Sequence, residues 1–240
     1  MDLTILPYST WRWKLLILWH VLALALIQSL FTPVWNGIDT YLFRALNAPL
    51  EHSHSLRLFW AAANHRLADW FEDLCILAFI IAAIWKAPKT ERKRRGAEMI
   101  FGLFLVAATI LVVNRFFCRD LMKLRRESPT LVLDQAVLLS DYITSFTVKV
   151  VSTKSLPGDH ATTAILFATI YAYFVRGKLA LLALIYGALL CLPRLAVGAH
   201  WPSDIFVGSG AIVFITLSWA FCTPFAKRSI EKIEKILHHF

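Results

Sequence analysis

Six apolar runs divide the chain, at residues 15–31, 74–85, 99–113, 161–175, 179–193 and 205–225, and more polar segments separate them, three short and two, 32–73 and 114–160, long. A helix that crosses a bilayer upright needs about 20 apolar residues. Several runs are shorter, so the spans are extended through boundary residues, 70–73 ahead of the second run and 157–160 ahead of the fourth. The pattern predicts an all-α polytopic membrane protein of six transmembrane helices. No internal repeat, low-complexity segment or linker divides the chain, so residues 1–240 read as one domain.

Composition agrees with this pattern. The chain is 58% apolar and 17% charged, with a mean hydropathy of +0.60, far from globular averages. Arg12 and Lys14 precede the first run as they would in a secretory signal, but no small-residue cleavage pattern follows Phe31 and the run reads as an anchor. Cys75, Cys118, Cys191 and Cys222 form neither a disulfide framework nor a zinc spacing.

Charge then sets the topology. A net charge of +9 would suggest a nucleic-acid partner for a soluble chain, but here the cations crowd the connectors. Lys86, Lys89, Arg92, Lys93, Arg94 and Arg95 share one loop, Arg176 and Lys178 another, and Lys227, Arg228, Lys232 and Lys235 follow the last run. Positive loops stay cytoplasmic. Six spans therefore put both termini in the cytoplasm, and residues 32–70, 115–160 and 194–204 on the outer face.

Two polar strings lie on that face where apolar runs meet water, a costly place for ionisable groups unless they are used. The first is Pro157-Gly158-Asp159-His160, which opens the fourth span. Backbone amides at a helix start bind anions, and a histidine there suits an acid role. The second holds Arg194, His200 and Asp204. His200 and Asp204 are four apart, so the carboxylate can hold the imidazole and leave its other nitrogen to attack phosphorus. The planar fork of Arg194 suits phosphate oxygens, and Gly198 lets the chain curve back to the same place. Arg119, Lys123, Arg125 and Arg126, ahead of Ser128-Pro129, supply further positive charge of the kind phosphoryl transfer needs.

These residues resemble the type 2 phosphatidic acid phosphatases, whose motifs are Lys-x6-Arg-Pro, Pro-Ser-Gly-His and Ser-Arg-x5-His-x3-Asp. The resemblance covers roughly residues 115–210. Arg194, His200 and Asp204 keep the third spacing, with Pro193 in place of serine. In the second motif Gly158-Asp159 replaces Ser-Gly. In the first, Arg119 and Arg126 keep the seven-residue offset, Lys123 is an alternative, and Ser128 precedes Pro129. Arg-x-Ser-Pro-Thr, Pro-Gly-Asp-His and Pro-Arg-x5-His-Trp together look like the lipid A 1-diphosphate synthase branch.

That resemblance implies a helical bundle of the family's type and a phosphotransferase. Undecaprenyl diphosphate would donate a phosphoryl group to the 1-phosphate of lipid A on the periplasmic face of a Gram-negative inner membrane. His200 would be the nucleophile and His160 the acid, with Arg194 and Asp204 beside them. Arg119, Lys123, Arg125, Arg126, Gly158 and Asp159 would line the phosphate, with no metal or other cofactor. The expected partners are these lipids and the membrane, and no nucleic acid. A hydrolase acting on undecaprenyl diphosphate or another lipid phosphate is the nearest rival, and a non-catalytic lipid-binding or transport protein a more distant one.

The remaining polar residues read more plainly. His20, His52, His54, His65, His238 and His239 are taken as structural. Asn64, Arg66 and Asp69, on the outer face, either read a large headgroup or cap and pack a loop. Trp60, Trp70 and Trp201 anchor depth. Residues 127–156 form a long outer segment whose Val/Thr-rich stretch 142–152 is compatible with an extended strand or a short interfacial helix, and with a lid or an acceptor-binding surface. Residues 226–240 read as a short amphipathic cytoplasmic helix.

Overall fold

The structure, a computed structural model, describes residues 10–239. Among them no strand forms, and a single bridge joins Arg126 to Lys154. Helix α1 (Trp13–Ser29) meets α2 (Val34–Asn47) at Pro33, which caps α2 with no side-chain hydrogen bond. The two are bent by 74°. Short α3 (His54–Ala63) and then α4 (Arg66–Lys86) follow. Helix α5 (Arg92–Ala108) runs on into wide π-helical turns over Thr109–Leu121. The single-turn α6 (Pro129–Val132) stands in the long segment between these turns and Asp159. Helices α7 (Asp159–Val175) and α8 (Gly177–Ala196) form a hairpin, and a second wide turn (Asp204–Ser209) leads into α9 (Gly210–Phe221). Helix α10 (Phe225–Leu237) closes the bundle.

The hairpin turns on two residues with positive φ, Arg176 (56°) and Gly177 (65°). Its helices pack closely because the contact residues are small. A Cβ on Gly187 would stand 2.8 Å from the Cβ of Ala168 and 2.9 Å from the carbonyl of Ala164, the close backbone approach that membrane helices use where lipid offers no hydrophobic drive. Behind the hairpin, Phe101, Leu166, Ile170, Tyr171, Ala183 and Ile230 belong to the main buried cluster.

At the cationic end, Arg95 donates to the last-turn carbonyl of Phe174 and pairs with Glu98 at 2.7 Å. Arg94 reaches Glu234 on α10 at 3.0 Å. Ala226 and Ile230 of α10 are fully buried, while Arg228, Lys232 and Lys235 are exposed. The apolar stripe of this helix is therefore covered by the bundle instead of lying free for lipid. Part of the basic loop likewise serves as an ion-paired clamp on α10.

Among the described residues, three helices are long and apolar enough to cross a membrane, Lys89–Leu121, Gly177–Ala196 and Asp204–Phe221, and the bent α1–α2 pair adds a fourth if it is one span. The six-span expectation is met only to that extent. The other two runs do form helices, but α4 carries Asp69, Glu72 and Asp73 in its first half and α7 is 17 residues long.

Candidate active site

The C-terminal end of the α5 segment, the start of α7, the end of α8 and the start of the α9 segment meet at one place, and the two wide turns explain how. In an α-helix, residues five apart point about 140° away from each other; an i→i+5 turn returns them to one side. Asn114 and Arg119 are so related, and both face Asp159 at the start of α7. Asn114 Nδ2 donates to Asp159 Oδ1 at 3.1 Å, and Arg119 donates to both carboxylate oxygens at 2.9 Å each. Arg119 also donates to the Pro157 carbonyl at 3.1 Å. In the second wide turn Asp204 and Ser209 are both buried, and Ser209 Oγ donates to the Gly158 carbonyl at 3.2 Å.

Gly198 sets the position of His200. Helix α8 ends at Ala196, and a φ of +73° at Gly198 reverses the chain so that His200 N returns to the Arg194 carbonyl at 3.3 Å. A Cβ here would lie 2.6 Å from Thr130 Cγ2 and 2.7 Å from Phe43 Cε2. Gly198→Ala is thus expected to lower stability by about 1–3 kcal/mol, through left-handed strain and overpacking together. A thermal melt in detergent beside wild type checks this, and activity is expected to fall further than the melt because His200 is displaced.

The imidazole is held differently from the sequence expectation. His200 Nδ1 donates to the Ser155 carbonyl at 2.6 Å, whereas Asp204 Oδ2 is 3.8 Å away. Asp204 is engaged elsewhere, accepting from Arg126 at 2.6 Å and from Trp201 N at 2.8 Å. A backbone carbonyl therefore fixes the tautomer, and Asp204 contributes charge at longer range. The outcome for chemistry is the expected one, since a proton kept on Nδ1 leaves Nε2 as the free lone pair. Gly158 lies against the ring: a Cβ there would stand 3.4 Å from His200 Cε1, an ordinary van der Waals contact.

His160 and Arg194 form a second pair. Arg194, buried at the end of α8, donates to Asp69 Oδ1 at 3.0 Å and reaches His160 Nε2 at 3.0 Å. Since a guanidinium only donates, Nε2 accepts and the ring proton sits on Nδ1. Both histidines and Arg194 line one cleft of about 350 Å³, with Asn64, Arg66, Asp69, Thr147, Lys149 and Ser152 among its other walls. Such a cleft exceeds a single phosphoryl group and falls in the range of small-molecule sites.

None of Arg119, Lys123, Arg125 and Arg126 lines this cleft. Arg119 is bound to Asp159; Lys123 and Arg125 are exposed. Arg126 forks between Asp204 and Asp39, at 2.6 and 2.9 Å, with Ser203 Oγ at 2.8 Å. Asp39 and Ser155 escaped the sequence reading. The one signal for Asp39 was a lone acid on the otherwise non-acidic α2; a backbone acceptor such as Ser155 leaves no signal at all. Asn64, Arg66 and Asp69, singled out in sequence, do reach the cleft.

Among the described residues, Asp69, Glu72 and His160 bring three possible metal-ligand atoms within 4.8 Å of one another. Asp69 and His160 both face the Arg194 guanidinium already, so a cation would have to displace it.

The PAP2 superfamily signature matches residues 125–228, the stretch carrying both histidines, Arg126, Arg194 and Asp204. The chain is similar to lipid A 1-diphosphate synthase of Escherichia coli (strain K12), with 32% identity over 228 residues, 92% of this chain and 93% of that protein. No solved structure matches it. Identity sustained over almost the whole of both proteins, with two histidines and an arginine gathered in one cleft, makes this chain a membrane enzyme of the PAP2 superfamily acting on lipid phosphates.

Proposed function

We propose that the protein transfers a phosphoryl group from undecaprenyl diphosphate to the 1-phosphate of lipid A through a phosphohistidine. The observation that carries this reading is the convergence of His160, Arg194 and His200 on one cleft, together with a relative named for making lipid A 1-diphosphate. His200 Nε2 attacks the distal phosphorus of the donor, and the bond from that phosphorus to the bridging oxygen breaks. His160, which takes up a proton on Nε2 as the substrate phosphates draw Arg194 away from it, gives that proton to the departing undecaprenyl phosphate and regains one from the acceptor phosphate in the second step. Arg194 donates to the phosphoryl oxygens as charge builds there, a preorganised electrostatic role. An oxygen of the acceptor phosphate then attacks the phosphohistidine, the P–N bond breaks, and His200 is restored.

Arg126, Asp204 and the Arg119–Asp159 pair act as positioning residues that hold the helix ends carrying the histidines. Six spans in the bacterial inner membrane, with both termini cytoplasmic, put the cleft in the periplasm. The cationic loops at the opposite end of the bundle support that orientation.

Purified protein in detergent, given donor labelled on its distal phosphate with and without lipid A, tests the reading. Label is expected on lipid A. Free phosphate released at the same rate whether or not lipid A is present would make the protein a phosphatase, and unmoved label would remove the donor assignment.

A further inference from the structure

Two cations in the cleft come from outside the motifs. Lys149 lies on an extended segment with alternating burial: Val148 and Val150 are buried, Thr147 and Lys149 exposed. The buried valines pack with Leu50, Leu139 and Val197. Thr130 Oγ1 donates to the Val150 carbonyl, and Ser128 and Ser152 are linked through two hydrogen bonds at 2.8 and 2.9 Å. A period of two on an anchored strand-like segment fixes which side chains face out, so Lys149 is held at the cleft wall. Arg66 opens α4, its guanidinium 6.0 Å from the Trp70 ring centre. Among the described residues neither makes an ion pair, whereas Arg119, Arg126 and Arg194 each face a carboxylate.

Resting on the transfer reading above, we infer that Arg66 and Lys149 form a second anion subsite, which takes a phosphate of the lipid substrates other than the one being transferred. The chemistry requires such a group twice. The donor keeps one phosphate on its leaving lipid, and the acceptor brings one to be attacked. Both carry negative charge beside the transferring phosphoryl, and both need counter-charge that Arg194, occupied with Asp69 and His160, does not supply alone. A planar fork and a mobile ammonium are the two side chains suited to it.

The test uses the full-length chain in detergent carrying Arg66→Gln, Lys149→Gln or both, and Arg66→Lys with Lys149→Arg as the charge-keeping control. KM for donor and KM for lipid A are measured separately, with a thermal melt for folding. The double variant is expected to raise one of these KM values about tenfold or more with kcat within about twofold, the signature of lost ground-state binding. The substrate affected tells whose phosphate sits there, and the charge-keeping control is expected to recover most of the loss. Unchanged KM values in a folded variant, or a fall in kcat alone, would overturn the subsite. The transfer reading fails separately, if wild type sends label only to water; the donor KM still decides the subsite in that case.

Discussion

His200→Ala is expected to lower label transfer by about four orders of magnitude, the scale on which nucleophile removal is felt where the residual rate comes from binding and charge stabilisation alone. The side chain is held by one hydrogen bond to a backbone carbonyl, so its loss leaves no buried charge unpaired, and the melt is expected to stay near wild type. A His200→Ala protein that still moves label at more than about a hundredth of the wild-type rate contradicts a histidine nucleophile. Asp204→Asn is expected to be milder at the histidine than a triad reading implies, because Ser155 and not Asp204 accepts from Nδ1. Its main effect is expected in the melt.

The second large effect concerns Arg126. Its guanidinium neutralises Asp39 and Asp204, which are 2% and 0% exposed. Arg126→Met leaves both carboxylates buried without a counter-charge, Asp204 keeping only the Trp201 amide and Asp39 only Ser203 among these hydrogen bonds, a loss of about 3–5 kcal/mol. That corresponds to a fall of about 10 °C in melting temperature for a chain of this size. Because Asp204 also accepts from the Trp201 amide just past His200, activity is expected to fall with the melt. Adding Asp39→Asn removes one stranded charge and is expected to restore part of the stability, a non-additivity that contacting residues show and distant ones do not. Arg126→Met melting with wild type would mean the fork contributes nothing, and the positioning role assigned to it would be wrong.

What was legible in the sequence follows from distance along the chain. The third motif spans a single reversal from Arg194 through Gly198 to Asp204, so its spacing alone brings the parts together, and the six apolar runs all became helices. The partners of those parts were not legible. Arg126 meets Asp39 across 87 positions and Arg194 meets Asp69 across 125, and nothing local encodes either pairing. Periodicity gives no hint of the wide turns, because a pattern at 3.6 residues per turn puts Arg119 and Asn114 on different faces where the i→i+5 geometry puts both on Asp159. Asp159 itself, standing where the family has glycine, consumes the cation expected to meet phosphate. The amphipathic pattern of α10 was correct but ambiguous: an apolar stripe specifies that something covers it, and here that is the bundle.

The most direct test of the central claim is to trap the intermediate. Wild-type protein mixed with donor labelled on its distal phosphate, in the absence of lipid A, is quenched within the first turnover and digested under alkaline conditions that preserve a phosphoramidate. The account predicts label on the peptide carrying His200, chased onto lipid A when the acceptor is added before the quench. Label reaching lipid A at the full rate with no phosphorylated His200 peptide at any time would contradict it, and would mean that the acceptor attacks the donor directly.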